Sequence, residues 1–116
     1  MMLQITPQQR FFLGVEPIDF RRGIDGIVAT CKNQLQADPM SGAWFAFRNK
    51  RRTAIKLLVY DGQGYWLCMK RFSRGKLAWW PKSNGTTETI SAHNLQVLLY
   101  QGDPTKISIP IDWKPV

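Results

Sequence analysis

Hydrophobic and polar residues alternate along several short stretches of the chain, a pattern typical of β-strands. In the first stretch, residues 9–15, Phe11, Leu13 and Val15 alternate with Phe12 and Gly14. Pro17 follows and cannot donate a backbone hydrogen bond to a neighbouring strand. The sequence therefore predicts a first strand that ends before Pro17.

The middle of the chain predicts a meander of short strands. Each one ends in residues that favour turns, such as Asp61-Gly62-Gln63-Gly64, a glycine-rich hairpin signal. Two of the other turns are basic, at residues 49–52 and 73–76. The predicted strands of the meander are residues 43–48, 54–60, 65–72 and, more briefly, 77–80.

Two helices are predicted from apolar residues that recur at helical spacing. Asp19 is the expected N-cap of the first, whose apolar face comprises Ile24, Ile27, Val28, Cys31 and Leu35. Ser91 is the expected cap of the second, which carries Leu95, Leu98 and Leu99 and which we expect Gly102 to terminate.

Together these elements predict an α+β fold in a single domain, residues 1–116: an antiparallel meander sheet with two helices. Residues 104–116 are expected to form an extended tail, pinned by Ile107, Ile109, Ile111 or Trp113. Both faces of the meander strands carry large apolar side chains, which two short helices cannot easily cover. We therefore expect either that the sheet curls into a partial barrel or that one face meets a partner.

Composition places the chain among folded proteins of the cytoplasm. A hydrophobic content of 44% with five tryptophans is too high for a disordered chain. No apolar run approaches the roughly 18 residues of a membrane helix, and the first ten residues lack the pattern of a secretory signal. Cys31 and Cys68 are accordingly expected to be reduced core thiols and not a disulfide.

The positive charge is concentrated in one region. Ten of the sixteen lysines and arginines lie between Arg48 and Lys82, with a single acidic residue, Asp61. That stretch carries +9, whereas the other 81 residues carry six basic and seven acidic groups, or −1. A concentrated positive field attracts polyanions, so nucleic acid is the first partner to consider, with an acidic protein or a merely solvated surface as alternatives.

Candidate contact residues follow from the basic turns. Both turns should lie at the same end of the sheet if the strands alternate in direction, and they can then form a continuous phosphate-binding surface. The expected phosphate contacts are Lys50, Arg51, Arg52, Arg74 and Lys76, with Arg48, Lys56, Lys70 and Arg71 reinforcing the field. The aromatic candidates for base stacking are Trp66, Trp79 and Trp80, of which at most one of the adjacent pair is expected to be core.

Arg21-Arg22-Gly23 forms a second basic group, at the start of the first predicted helix. Cations and glycines there oppose helix stability, and one interpretation is that they expose backbone N–H groups and two guanidinium groups to a phosphate. The alternative is that Asp19 and Asp25 neutralise the arginines while the glycines allow close packing. Both interpretations stay open at this stage.

The sequence does not predict an enzyme. A metal-dependent nuclease needs clustered carboxylates, whereas the chain has eight acidic residues, of which Asp19, Asp25, Asp38 and Asp61 have explanations as turn or cap residues. Zinc-ligand spacing and a phosphate-binding loop motif are also missing from the sequence, and His93 is expected at the surface. No catalytic residue, metal or cofactor is predicted.

Four blocks of sequence resemble a known family. They are Asp19-Phe20-Arg21-Arg22-Gly23-Ile24-Asp25-Gly26-Ile27, the run from Asp38-Pro39 to Arg51-Arg52, Ile55-Lys56-Leu57-Leu58 with Tyr60-Asp61-Gly62-Gln63-Gly64, and Lys70-Arg71-Phe72-Ser73-Arg74-Gly75-Lys76 with Trp80-Pro81. In this order and spacing, over about residues 11–103, they resemble the TnpB accessory proteins encoded by the second open reading frame of insertion-sequence-sixty-six transposons. The resemblance implies a transposition accessory protein that works beside a separate transposase.

Two functions from different classes remain. The first is a non-catalytic factor that binds DNA through the basic region at residues 48–82, contacting the backbone with little sequence specificity. The alternative is a protein-assembly module that binds the transposase, or a second copy of itself as a homodimer, through an apolar sheet face.

Overall fold

The computed structural model describes residues 9–106, which fold around one mixed β-sheet. The expected α+β class is confirmed, with two helices and five strands in the described part of the chain. In chain order the elements are β1 (Phe11–Gly14), α1 (Ile24–Asn33), β2 (Trp44–Arg48), β3 (Ala54–Tyr60), β4 (Tyr65–Arg71), β5 (Thr87–Ile90) and α2 (Ala92–Leu99). The expected tail lies mostly outside the described residues, including Ile107, Ile109, Ile111 and Trp113.

The strand order is β4-β3-β2-β1-β5, and the sheet is not a simple antiparallel meander. Strands β2, β3 and β4 form antiparallel hairpins as predicted. Strand β1, however, pairs in parallel with β2, with Phe11 opposite Trp44. The connection between them contains α1 and is long enough to cross the sheet and return to the same end, which a parallel pair requires.

One short strand was predicted wrongly and another was missed. Residues 77–80 are irregular: Leu77 and Trp80 pack into the same core cluster, whereas residues three apart in a strand point to opposite faces. Conversely, β5 was not predicted, and it pairs antiparallel with β1 at the other edge of the sheet. Its Glu88 and Thr89 are exposed, so it lacks the apolar alternation of a half-buried strand.

Helices cover both faces of the sheet, so the expectation of a curled sheet or an uncovered face is not confirmed. On one face, Ile27 and Cys31 of α1 pack with Phe45, Phe47 and Leu58. The other face packs against α2 and the irregular segment after β4, through a cluster that includes Leu13, Trp44, Ile55, Leu77, Trp80, Leu95 and Leu98. The sheet is open, with β4 and β5 as its edges.

Of the two predicted helix N-caps, one is confirmed and one is wrong. Ser91 caps α2 as predicted, its hydroxyl accepting from the Asn94 N–H at 3.1 Å. Asp19 does not cap α1; Gly23 precedes that helix without a side-chain cap. Gly102 follows the end of α2 and its N–H bonds the Val97 carbonyl at 2.8 Å, but the left-handed residue is Gln101, with φ of 65°.

Cys31 and Cys68 are reduced thiols and do not form a disulfide with each other, as predicted. Cys31 is fully buried on the side of α1 that faces the sheet, and burial raises the pKa of its thiol to about 12. Cys68 lies half-buried on β4, where burial also raises its pKa. Because only a thiolate is nucleophilic, the Cys31 sulfur is chemically inert in the folded protein.

Candidate nucleic-acid interface

The two basic turns lie at the same end of the sheet, as the sequence predicted. Ala54 pairs with Arg71, and Arg48 with Ile55, so the end of β2, the start of β3 and the end of β4 are adjacent. Two backbone hydrogen bonds tie the turns together: Phe72 N–H to the Thr53 carbonyl at 2.9 Å, and Leu77 N–H to the Arg52 carbonyl at 2.8 Å.

Asn49 shapes the first basic turn. Its side-chain oxygen accepts from the N–H groups of Thr53 at 2.8 Å and Ala54 at 3.2 Å, and its amide nitrogen donates to the Thr53 hydroxyl at 2.8 Å. Arg52 adopts a φ of 63°, the left-handed conformation that lets the turn close. Lys50 and Arg51 are left exposed at the tip of this turn. The sequence analysis did not identify the role of Asn49.

Gln101 holds the second basic turn from across the structure. Its side-chain nitrogen donates to the Arg74 carbonyl at 2.7 Å and to the Lys76 carbonyl at 3.3 Å. Gly75 has a φ of 72°, and a Cβ there would come within 3.1 Å of the Gln101 nitrogen. The side chains of Arg74 and Lys76 are exposed beside this clamp, which local sequence patterns do not reveal.

Arg21 lies against the first basic turn, although 28 residues separate it from Lys50. Residues 17–21 and 49–51 line a surface groove of about 730 Å³. The Ile18 N–H bonds the Arg48 carbonyl at 3.0 Å and anchors this segment to the end of β2. The structure therefore joins the two basic groups that the sequence analysis treated separately.

Asp19 orients the Arg21 guanidinium group at the groove. Arg21 Nε lies 3.1 Å from both Asp19 carboxylate oxygens, and Nη2 lies 2.8 Å from Oδ2. Hydrogen bonding to Arg21 lowers the pKa of Asp19 to about 2. Arg22 turns away, donating to the Thr30 hydroxyl at 2.8 Å over the first turn of α1. This agrees with the neutralising interpretation for Asp19, but it leaves the Arg21 side chain 90% exposed.

Two lysines expected to reinforce the field instead hold the fold together. Lys56 is buried, and its Nζ donates to the carbonyls of Phe20 at 2.9 Å and Arg22 at 3.0 Å. Lys70 Nζ donates to the Leu99 carbonyl at the end of α2 at 2.7 Å and lies 3.9 Å from the centroid of the Tyr100 ring. Lys70 is additionally stabilised as a cation at a helix C-terminus and over an aromatic ring. Both ammonium groups already have partners within the fold.

Arg48 and Arg71 occupy the same end of the sheet in different environments. Arg48 is half-buried, with Nη1 donating to the Asn49 carbonyl at 3.2 Å, and burial followed by the charge of Arg52 lowers its pKa. Arg71 is exposed at the end of β4. We use the name basic rim for the residues at this end whose side chains remain available at the surface: Arg21, Lys50, Arg51, Arg52, Arg71, Arg74 and Lys76.

The three candidate tryptophans have different surroundings. Trp80 is buried, and its Nε1 donates to the Gly14 carbonyl at 2.8 Å, so it belongs to the core. Trp66 is exposed but pairs with Val59, towards the opposite end of the sheet from the basic rim, and donates to Asp61 at 2.8 Å. Trp79 is half-buried and lines a groove together with Arg52 and Lys82. As expected, only one of the adjacent pair is core.

Within residues 9–106 the structure holds no group of three or more His, Cys, Asp or Glu side chains that could bind a metal ion. Nor does any helix in that range have the length and apolar character needed to cross a membrane.

Comparison with known proteins identifies the family. The profile of the IS66 Orf2-like proteins, TnpB of IS66 elements, matches residues 9–108. The chain belongs to this family. Its relatives include two Sinorhizobium fredii proteins, each named as an uncharacterized protein: y4jC, 34% identical over 84% of this chain and 83% of its own length, and y4hO, 31% identical over 84% of each. No solved structure matches the chain.

Family membership confirms the resemblance on which the sequence analysis relied. It makes the chain a transposition-associated accessory protein, in a family that is not a known class of enzyme. The basic rim is accordingly a surface on a transposition-associated accessory protein.

Proposed function

We propose that this protein is a non-catalytic accessory factor of transposition that binds the DNA backbone through the basic rim. The observation that carries the proposal is the convergence of Arg21, the first basic turn and the second basic turn at one end of the sheet. Backbone hydrogen bonds and the Gln101 side chain fix these segments relative to one another. A fixed set of exposed cations suits the regular spacing of phosphates along DNA.

Guanidinium groups dominate the rim, which favours phosphate over a general acidic surface. Arginine forms paired hydrogen bonds with phosphate oxygens, whereas lysine acts as a single point charge. Arg21 is already oriented by Asp19 and faces a groove that also holds Lys50 and Arg51. Within residues 9–106 the basic rim is formed by turns, strand ends and the segment before α1 and not by the face of a helix, so we expect binding with little sequence preference.

The assembly alternative is weakened by the coverage of both sheet faces. A candidate surface for a protein partner is the edge strand β4, where the Met69 side chain is 56% exposed. A complex with the transposase that survives changes in the basic rim but not Met69→Lys would favour this second function.

The test compares two exposed lysines at opposite ends of the molecule. Lys50 is at the tip of the first basic turn. Lys32 is in the last turn of α1, which leads to the start of β2 and therefore to the end of the sheet opposite the basic rim. Fluorescence anisotropy with a duplex oligonucleotide should show weaker binding for Lys50→Ala and unchanged binding for Lys32→Ala. Equal affinities for the two variants would contradict the proposal, because both remove one exposed positive charge.

A further inference from the structure

A second groove lies on the other side of the first basic turn. It has a volume of about 530 Å³, within the roughly 300–1,000 Å³ typical of small-molecule sites, and Arg52, Trp79, Lys82 and Glu88 line it. Arg52 belongs to the turn, Trp79 and Lys82 to the irregular segment after β4, and Glu88 to β5. The groove therefore combines an aromatic side chain with two cations and one carboxylate.

Trp79 is held in place on one side and accessible on the other. It packs against the core cluster beneath α2, but it also lines this groove and a neighbouring one of about 470 Å³. The adjacent Trp80 is anchored in the core by its hydrogen bond to Gly14, which fixes the backbone at Trp79. An anchored, half-buried indole is a suitable platform for stacking a flat ring.

The first basic turn connects this groove with the basic rim. Residues 49–51 line the groove that contains Arg21, and the next residue, Arg52, lines the groove that contains Trp79. The Arg52 backbone is fixed at both ends, by its N–H to the Asn49 carbonyl at 3.1 Å and by its carbonyl to the Leu77 N–H at 2.8 Å. A DNA strand that leaves the rim across this turn reaches Trp79 directly.

We propose that this groove binds an unpaired nucleotide of a DNA strand, with the base stacked on Trp79 and the flanking phosphates bound by Arg52 and Lys82. Glu88 offers a carboxylate that accepts from the amino group of cytosine. The inference rests on the proposed DNA binding and deepens it: the protein prefers DNA with a single-stranded segment over blunt duplex. A base within a duplex is stacked on its neighbours and cannot reach the indole.

Paired variants at Trp79 separate stacking from core packing. Both Trp79→Phe and Trp79→Leu keep an apolar side chain against the core, but only phenylalanine presents an aromatic face. On a fluorescent oligo(dC) of about 12 nucleotides, we expect Trp79→Leu to weaken binding about 5- to 150-fold and Trp79→Phe to weaken it much less. Because Trp79 carries no charge, the salt dependence should not change, whereas Lys82→Ala should reduce it.

The inference would be overturned if Trp79→Leu bound the oligo(dC) as tightly as the wild-type protein does. It would also be overturned if the wild-type protein bound a blunt duplex as tightly as the same duplex with a single-stranded extension. A failure of the proposed DNA binding by the basic rim would give a different result, because Lys50→Ala would then bind blunt duplex as tightly as the wild-type protein. Photocrosslinking of the wild-type protein to an iodouracil-containing single strand tests the same inference without depending on whether a variant folds. A crosslink in the peptide with Trp79 supports the inference, and crosslinks only elsewhere contradict it.

Discussion

Replacing Lys56 with methionine separates a structural role for this lysine from a DNA-contact role. Its ammonium group donates to the carbonyls of Phe20 and Arg22, just before α1, and only 7% of the residue is exposed. Methionine preserves most of the apolar stem, which lies on the α1 face of β3, but it cannot donate. The substitution therefore removes two hydrogen bonds with little change in packing volume.

The size of the effect follows from those two bonds. Hydrogen bonds from a charged donor contribute about 1.5–3 kcal/mol each, so their joint loss sets an upper range of about 3–6 kcal/mol. Arg22 is exposed, so water can replace the ammonium at its carbonyl, and removing a buried charge returns some desolvation energy. We expect a net destabilisation of about 2–4 kcal/mol, which corresponds to a Tm lower by roughly 10 °C or more.

Urea denaturation followed by circular dichroism measures this change directly. Lys50→Met is the matched control, because Lys50 is exposed at the basic rim and should change stability by less than about 0.5 kcal/mol. The expected pattern is reciprocal: Lys56→Met destabilises the fold, whereas Lys50→Met weakens DNA binding. Unchanged stability in Lys56→Met, together with a loss of DNA affinity as large as that of Lys50→Met, would refute the structural assignment.

Two further predictions concern the residues that orient the basic rim. NMR titration should place the pKa of Asp19 near 2, and Arg21→Ala should return that pKa towards 3.8. Because the pKa is lowered in the folded state, the Asp19–Arg21 interaction stabilises the fold at a pH above the unfolded pKa. This stabilisation is lost as the pH falls from about 4 through 2. An Asp19 pKa unaffected by Arg21→Ala would contradict this pairing. Asn49→Ala removes three hydrogen bonds from the first basic turn, so it should lower the free energy of unfolding by about 1–3 kcal/mol and weaken DNA binding. Asn84 is exposed, and Asn84→Ala should change neither stability nor DNA binding. Equal melting temperatures for these two variants would exclude the role of Asn49.

The sequence was sufficient where a residue's environment is set by its near neighbours. Alternation of Phe45 and Phe47 with Trp44 and Ala46 predicted β2, because the two sets pack on opposite faces of the sheet. The Ser91 cap was predictable for the same reason, since it involves residues three apart. Strand β5 gave no such signal, because it is a short edge strand with exposed polar residues.

Long-range packing decided what local patterns could not. The parallel pairing of β1 with β2 depends on how α1 crosses the sheet, and no residue in β1 specifies it. In the candidate site, the clustered charge directed attention to the two basic turns, but charge alone did not distinguish exposed Lys50 from buried Lys56. Arg21 joins the basic rim through long-range hydrogen bonds, from Ile18 to Arg48 and from Lys56 to Phe20, which link distant parts of the chain.

The most direct test of DNA binding by the basic rim is the salt dependence of duplex affinity for the wild-type protein and the Lys50→Ala/Arg51→Ala double variant. Each phosphate contact contributes about 0.9 to the negative slope of log K against log salt. The proposal predicts a steep slope for the wild type and a slope smaller by about 1.8 for the double variant. Identical slopes for the two proteins would show that these side chains do not contact phosphates, and would contradict the proposal.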